Sequence, residues 1–134
     1  MSDDLGGATV VTDADVALVL AAYTAYGQGD IDGAVRDLHP DVEWIEPDEF
    51  PNGGAHHGPA AVAAYLRASY ASWRTFVSTP TAHRRADRIV IVHHVHGVLA
   101  DGRPQEATVA DVFTVENGQV TRMIAYADPA AALA

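Results

Sequence analysis

The chain contains no cysteine and no lysine, and its eight basic residues are all arginine. Without cysteine there are no disulfides, thiolate zinc sites or cysteine nucleophiles, so any metal would need His, Asp or Glu. Long apolar runs are missing too. No stretch approaches the roughly 18 residues that cross a bilayer, and the opening MSDDLGG has neither a basic nor an apolar leader region. These absences predict a soluble, cytoplasmic protein with no membrane partner. Positive charge is scarce: 18 acids against eight bases leave a formal net charge of -10. Such a surface repels phosphate backbones, so nucleic acid is not an expected partner.

What is present fits one domain across residues 1–134, with an ordered core over about 12–127. Thr12 with Asp15 reads as a capping box, and Val16, Val19, Leu20, Tyr23 and Tyr26 follow at helical spacing, predicting a helix over 13–27. Asp30 can cap a second, short helix that runs to His39 before Pro40. "DVEWIE" (41–46) reads as a strand, "PDEFPNGGAHHG" as a loop, and Pro59 as the first turn of a third helix. From Phe76 the period becomes two, with strands near 76–86, 88–100, 103–115 and 119–127 and hairpin turns at "ADGR" and "ENGQ". Helices followed by a meander imply an α+β domain. The tail "DPAAALA" is expected to be mobile or weakly packed.

Strand alternation assigns each residue a face, and a polar residue in phase with apolar ones is the informative case. Glu46 shares a face with Val42 and Trp44, and Asp111 shares one with Ala107, Val109, Phe113 and Val115. An acid is thus aimed at the core side twice. Burial disfavours the charged form of a carboxyl unless it is paired, so two such acids point to a pocket. In "RIVIVHHVHGVLA" both faces are apolar; His94 and His96 share one and His93 takes the other. Tyr23, Trp44, Tyr65, Tyr70 and Trp73 stand at core spacings, while His56 and His57 read as loop surface or pocket rim.

Three stretches, "YTAYGQGDIDGAVRDLHPDVEW", "GGAHHGPAAVAAYL" and "VADVFTVENGQVTRMIAYAD", in this order over roughly 12–127, resemble the nuclear transport factor 2-like superfamily. The likeness is nearest to its ketosteroid isomerase and SnoaL-like polyketide cyclase branches. It implies a cone-shaped α+β barrel: three N-terminal helices packed on a strongly curved, mostly antiparallel sheet, open at one end to a mostly apolar pocket. It also implies a homodimer through the outer sheet face. The isomerases carry a carboxylate base just before a proline after the first strand, which Glu46-Pro47 matches with Glu for Asp. Their protonated oxyanion donor on the penultimate strand is matched by Asp111. Ala22 stands where they carry an oxyanion tyrosine, with Tyr23 and Tyr26 nearby. Counted from the "DGR" turn, the resemblance turns His94 and His96 to the cavity and His93 to the outer or dimer face.

The expected chemistry is cofactor-independent isomerisation or cyclisation of an apolar, carbonyl-containing small molecule. Glu46 would take a proton α to the carbonyl, while a neutral Asp111, with His96 or His94, would donate to the developing enolate. His94, Trp44, Tyr23, Val98, Val109 and Phe113 are the expected ligand-lining residues. Two other classes stay open: a non-catalytic binding protein with the same cavity, and a metal site from His94, His96 and Glu46 with His56 and His57 as a lid.

Overall fold

Thr12 opens the first helix as its capping box predicts: its side chain accepts from the Asp15 N–H at 3.1 Å and the Asp15 carboxylate accepts from the Thr12 N–H at 3.0 Å. Residues 10–50 and 53–134 are described by the computed structural model of the protein. Helix α1 is Asp13–Gly27, α2 is Ile31–Val35 with Asp30 as its cap, and α3 is Pro59–Ala71 with proline in its first turn. Removing one capping oxygen typically costs about 1 kcal/mol. Thr12→Ala is therefore expected to lower the unfolding free energy by that amount, read as a lower urea midpoint at an unchanged m-value; an unshifted midpoint would mean the cap contributes nothing.

Six strands follow: β1 Leu38–Glu46, β2 Gly54–His57, β3 Trp73–Arg84, β4 Ile89–Leu99, β5 Pro104–Glu116 and β6 Gln119–Tyr126. They form one open sheet in the order β2-β1-β6-β5-β4-β3, curved, mostly antiparallel, with β1 and β6 the parallel neighbours. The architecture is the expected α+β one, but the sheet does not close into a barrel.

Three local expectations change. Helix α2 ends at Val35 because Leu38 is taken into the sheet opposite Val120. The glycine-rich stretch read as loop contains β2, whose Gly54–His57 pairs antiparallel with Glu43–Glu46; Pro51 and Asn52 of that stretch lie outside the described residues. The tail forms a helix, α4 (Pro129–Leu133), capped by Asp128 and seating Ala132 at 5 % exposure against Val90 and Ala110. The turn at Asn117-Gly118, by contrast, is as expected: both residues have positive φ, 51° and 75°, which Asn and Gly tolerate best.

The two sheet faces have different cores. Helices α1 and α3 cover one, where Val19, Val42, Val62, Ile89, Ile91, Phe113 and Met123 pack together; α4 covers part of the other. Among the described residues no helix is long and apolar enough to cross a membrane.

Candidate active site

Strand register decides which residues meet under the helices, because residues directly opposite on paired strands project to the same side. In β4 and β5, Ile91 stands opposite Asp111 and His93 opposite Val109; in β5 and β6, Phe113 stands opposite Met123. Trp44 of β1 is opposite Met123 as well, and Glu46 lies two residues further along the same face. The helix-covered face therefore collects Glu46, Trp44, His93, Val109, Asp111 and Phe113.

This corrects the histidine assignment. His93 belongs to the inner face, with Nε2 3.1 Å from Asp111 Oδ2 and its side chain 14 % exposed. His94 and His96 take the outer face. There His94 Nε2 meets Glu106 Oε2 at 2.7 Å and Nδ1 meets Thr108 Oγ1 at 2.9 Å, while the His94 and His96 rings lie 5.8 Å apart. Val98, in phase with them, is likewise outside. His96 and Val98 line an open depression of about 500 Å³ with Thr75, Pro104, Gln105 and Glu106, away from the two acids.

The cause is one residue of loop length. A two-residue turn at Asp101-Gly102 would put the even residues of β4 on the face of Asp111. Instead the Leu99 N–H donates to the Arg103 carbonyl at 2.8 Å, closing a three-residue loop and pairing odd residues with odd. A slip of one residue reverses every side chain of a strand. Glu46 thus lies across the sheet from His94 and His96, so these three cannot share a metal; among the described residues no cluster of three or more His, Asp or Glu side chains is arranged to hold one.

Glu46 is the one buried charged side chain among the described residues, at 9 % exposure. Trp44 Nε1 donates to its Oε2 at 2.8 Å. Burial, reinforced by the negative charge of Asp111, raises its pKa from 4.5 to about 7, against the opposing influence of Trp44, the Tyr65 hydroxyl and His93. A carboxyl with such a pKa can both take and release a proton near neutral pH.

Asp111 is held from α1. The Tyr23 hydroxyl donates to its Oδ2 in a short hydrogen bond, so Tyr23 reaches the acid although Ala22 occupies the matching helical position. Burial, then the Asp111 charge, pushes the Tyr23 pKa well up, which keeps it a phenol and a donor. Its ring packs edge-on against His93 at 5.3 Å and Phe113 at 6.0 Å, and Phe113 meets Trp44 at 6.1 Å. Phe113 thus bridges the two side chains that grip the two acids.

Tyr65 is a site residue that core spacing alone concealed. Burial, with the charge of Glu46, drives its pKa upward, and the His56 ring lies against it at 4.8 Å. In helix α3 it is in phase with Val62 and Leu66, and nothing in that period separates a tyrosine that packs from one that also reaches an acid. His56 owes its place to β2, where it stands opposite Trp44.

Comparison with known proteins agrees with this architecture. The family profile described as "SnoaL-like domain" matches residues 19–123. An uncharacterised protein of Mycobacterium tuberculosis is 30 % identical over 123 residues, 89 % of this chain and 93 % of its own. A solved NTF2-like protein of unknown function from Burkholderia pseudomallei superposes with a TM-score of 0.78 at 25 % identity, covering 91 % of this chain and 96 % of that one. A candidate polyketide cyclase from Xanthomonas campestris gives a TM-score of 0.69 at 28 % identity, covering 84 % and 89 %.

Proposed function

The chain belongs to the SnoaL-like domain family, and from that premise we propose that it catalyses acid–base isomerisation or cyclisation of an apolar, carbonyl-containing metabolite bound at the helix-covered face of the sheet. The observation that carries this reading is Glu46: a desolvated carboxyl with a pKa of about 7, held by Trp44 on the face it shares with Asp111. Glu46 takes the proton α to the carbonyl and returns it after the double bond has moved or the new bond has formed. The Tyr23–Asp111 hydrogen bond fixes the other end of the site, beside His93. Phe113, Trp44 and Val109 give the apolar surround. The resemblance of this chain to a candidate polyketide cyclase supports the same class of substrate. The outer sheet face, with Val77 at 53 % exposure, is our proposed contact for a second copy.

The test is exchange of the proton α to the carbonyl in heavy water, followed by NMR on apolar 1,3-diketones and β,γ-unsaturated ketones. Catalysed exchange is expected with the parent protein, falling about 10²- to 10⁴-fold in Glu46→Gln, the usual contribution of a general base. Binding of these compounds without any catalysed exchange would make the protein a ligand carrier instead.

A further inference from the structure

His93 has an unmet capacity in an otherwise satisfied cluster. Its Nδ1 lies 3.3 Å from Ser78 Oγ on the neighbouring strand, and its ring is wedged edge-on against Tyr23. Nε2 is buried and 3.1 Å from Asp111 Oδ2, yet the ring N–H is not directed at that oxygen. Distance alone would suggest an ion pair, but direction decides a hydrogen bond, and Oδ2 already accepts the Tyr23 hydroxyl. Among the described residues, His93 Nε2 is the buried side-chain polar atom left without a hydrogen bond. Such atoms are rare because desolvating one without a partner is costly, and a persistent one calls for a partner that arrives later.

We propose that His93 Nε2–H is the hydrogen-bond donor to the carbonyl oxygen of the ligand, with Ser78 acting as the positioning residue that selects the tautomer. In the proposed arrangement the Ser78 hydroxyl, 3.3 Å from Nδ1, donates to it and the ring proton sits on Nε2. Tyr23 cannot serve the ligand without abandoning Asp111, whereas His93 can do so without breaking any hydrogen bond. The imidazole then stabilises a developing oxyanion as a fixed donor, and its Nε2 proton stays on the ring throughout. This rests on the reading of the helix-covered face as the ligand site.

Two measurements on the full chain test it. In the ligand-free protein labelled with ¹⁵N-histidine, His93 is expected to carry its proton on Nε2, and Ser78→Ala is expected to mix the two tautomers. A His93 ring with Nε2 unprotonated overturns the proposal without touching the wider reading. The second measurement compares binding of 2-naphthol, whose oxygen resembles an enolate oxygen, with binding of naphthalene, which has none. His93→Phe is expected to weaken 2-naphthol by about tenfold, the scale of one desolvated hydrogen bond, and to leave naphthalene unchanged, while His93→Gln keeps part of the 2-naphthol affinity. Equal loss for both probes, or no loss for either, overturns the donor role alone. A parent protein that binds neither probe removes the ligand site and the donor role together.

Discussion

Glu46→Gln is expected to make the protein more stable above pH 7, by about 3 kcal/mol, while slowing the proposed proton transfer. A carboxyl whose pKa rises from 4.5 to about 7 on folding is harder to ionise in the folded chain than in the unfolded one. Below 4.5 both states hold the proton and there is no penalty. Between 4.5 and 7 the unfolded chain releases the proton first, so stability falls as pH rises; above 7 the loss is complete. At 1.36 kcal/mol per pH unit, that loss is about 3 kcal/mol. Because Glu46 is 9 % exposed, solvent screening takes little from this figure. Glutamine keeps an acceptor for Trp44 and carries no charge to desolvate, so the variant escapes the penalty. Urea unfolding of parent and variant at pH 4 and pH 8 checks this: the two curves should nearly coincide at pH 4 and separate at pH 8. Equal stability at both values would mean that Glu46 is hydrated and is no base of raised pKa.

Phe113→Ala is expected to cost about 3–5 kcal/mol, the range for emptying a buried phenylalanine site. Phe113 is 4 % exposed, stands between Ile89 and Met123 across the two adjoining strands, and touches both Tyr23 and Trp44. A small domain has about 5–15 kcal/mol in total, so the variant should lie close to unfolding. Its second effect concerns the site. With the bridging ring gone, Trp44 and Tyr23 lose the surface that orients them, and water gains access to Glu46. The Glu46 pKa should then fall back toward the ordinary carboxylate value. Chemical denaturation gives the first quantity and ¹³C-carboxyl NMR titration of the folded fraction the second. Phe113→Leu, which refills most of the volume, should cost about 1 kcal/mol. A loss below that for Phe113→Ala would show that the ring is not part of the packed core.

These expectations join function to stability in one residue pair. The acid that carries the proposed chemistry is expected to destabilise the fold above neutral pH, and the aromatic that packs against its partner Trp44 offsets part of that. A trade of this kind is common at active sites, where a group is held in a state that water would not choose.

Much of this was legible in order of residues alone. Glu46 and Asp111 declared themselves because each is an acid in phase with apolar neighbours along its own strand, and that phase is a property of the backbone with period two. The Thr12 cap, Pro59 at the start of α3 and the Asn117-Gly118 turn are equally local: each needs only the geometry of a few consecutive residues. Strand β2 was hidden because its Gly and His residues have little intrinsic preference for a strand, and β1 supplies the pairing that orders them. Likewise, helix α4 exists where Ala132 has a sheet to lie on.

The histidines mark the boundary between the two kinds of knowledge. Alternation along β4 separates His93 from His94 and His96 without any structure, since neighbours in a strand must oppose one another. Which of them joins Asp111 depends on the parity of the β4–β5 loop, and that was settled by the Leu99 to Arg103 hydrogen bond, which admits one residue more than the tight turn. Sequence determined the relative faces within each strand, because those follow from the pleat. Only the tertiary structure decided how the faces of different strands combine, because pairing register is a long-range choice in which a single loop residue inverts the result.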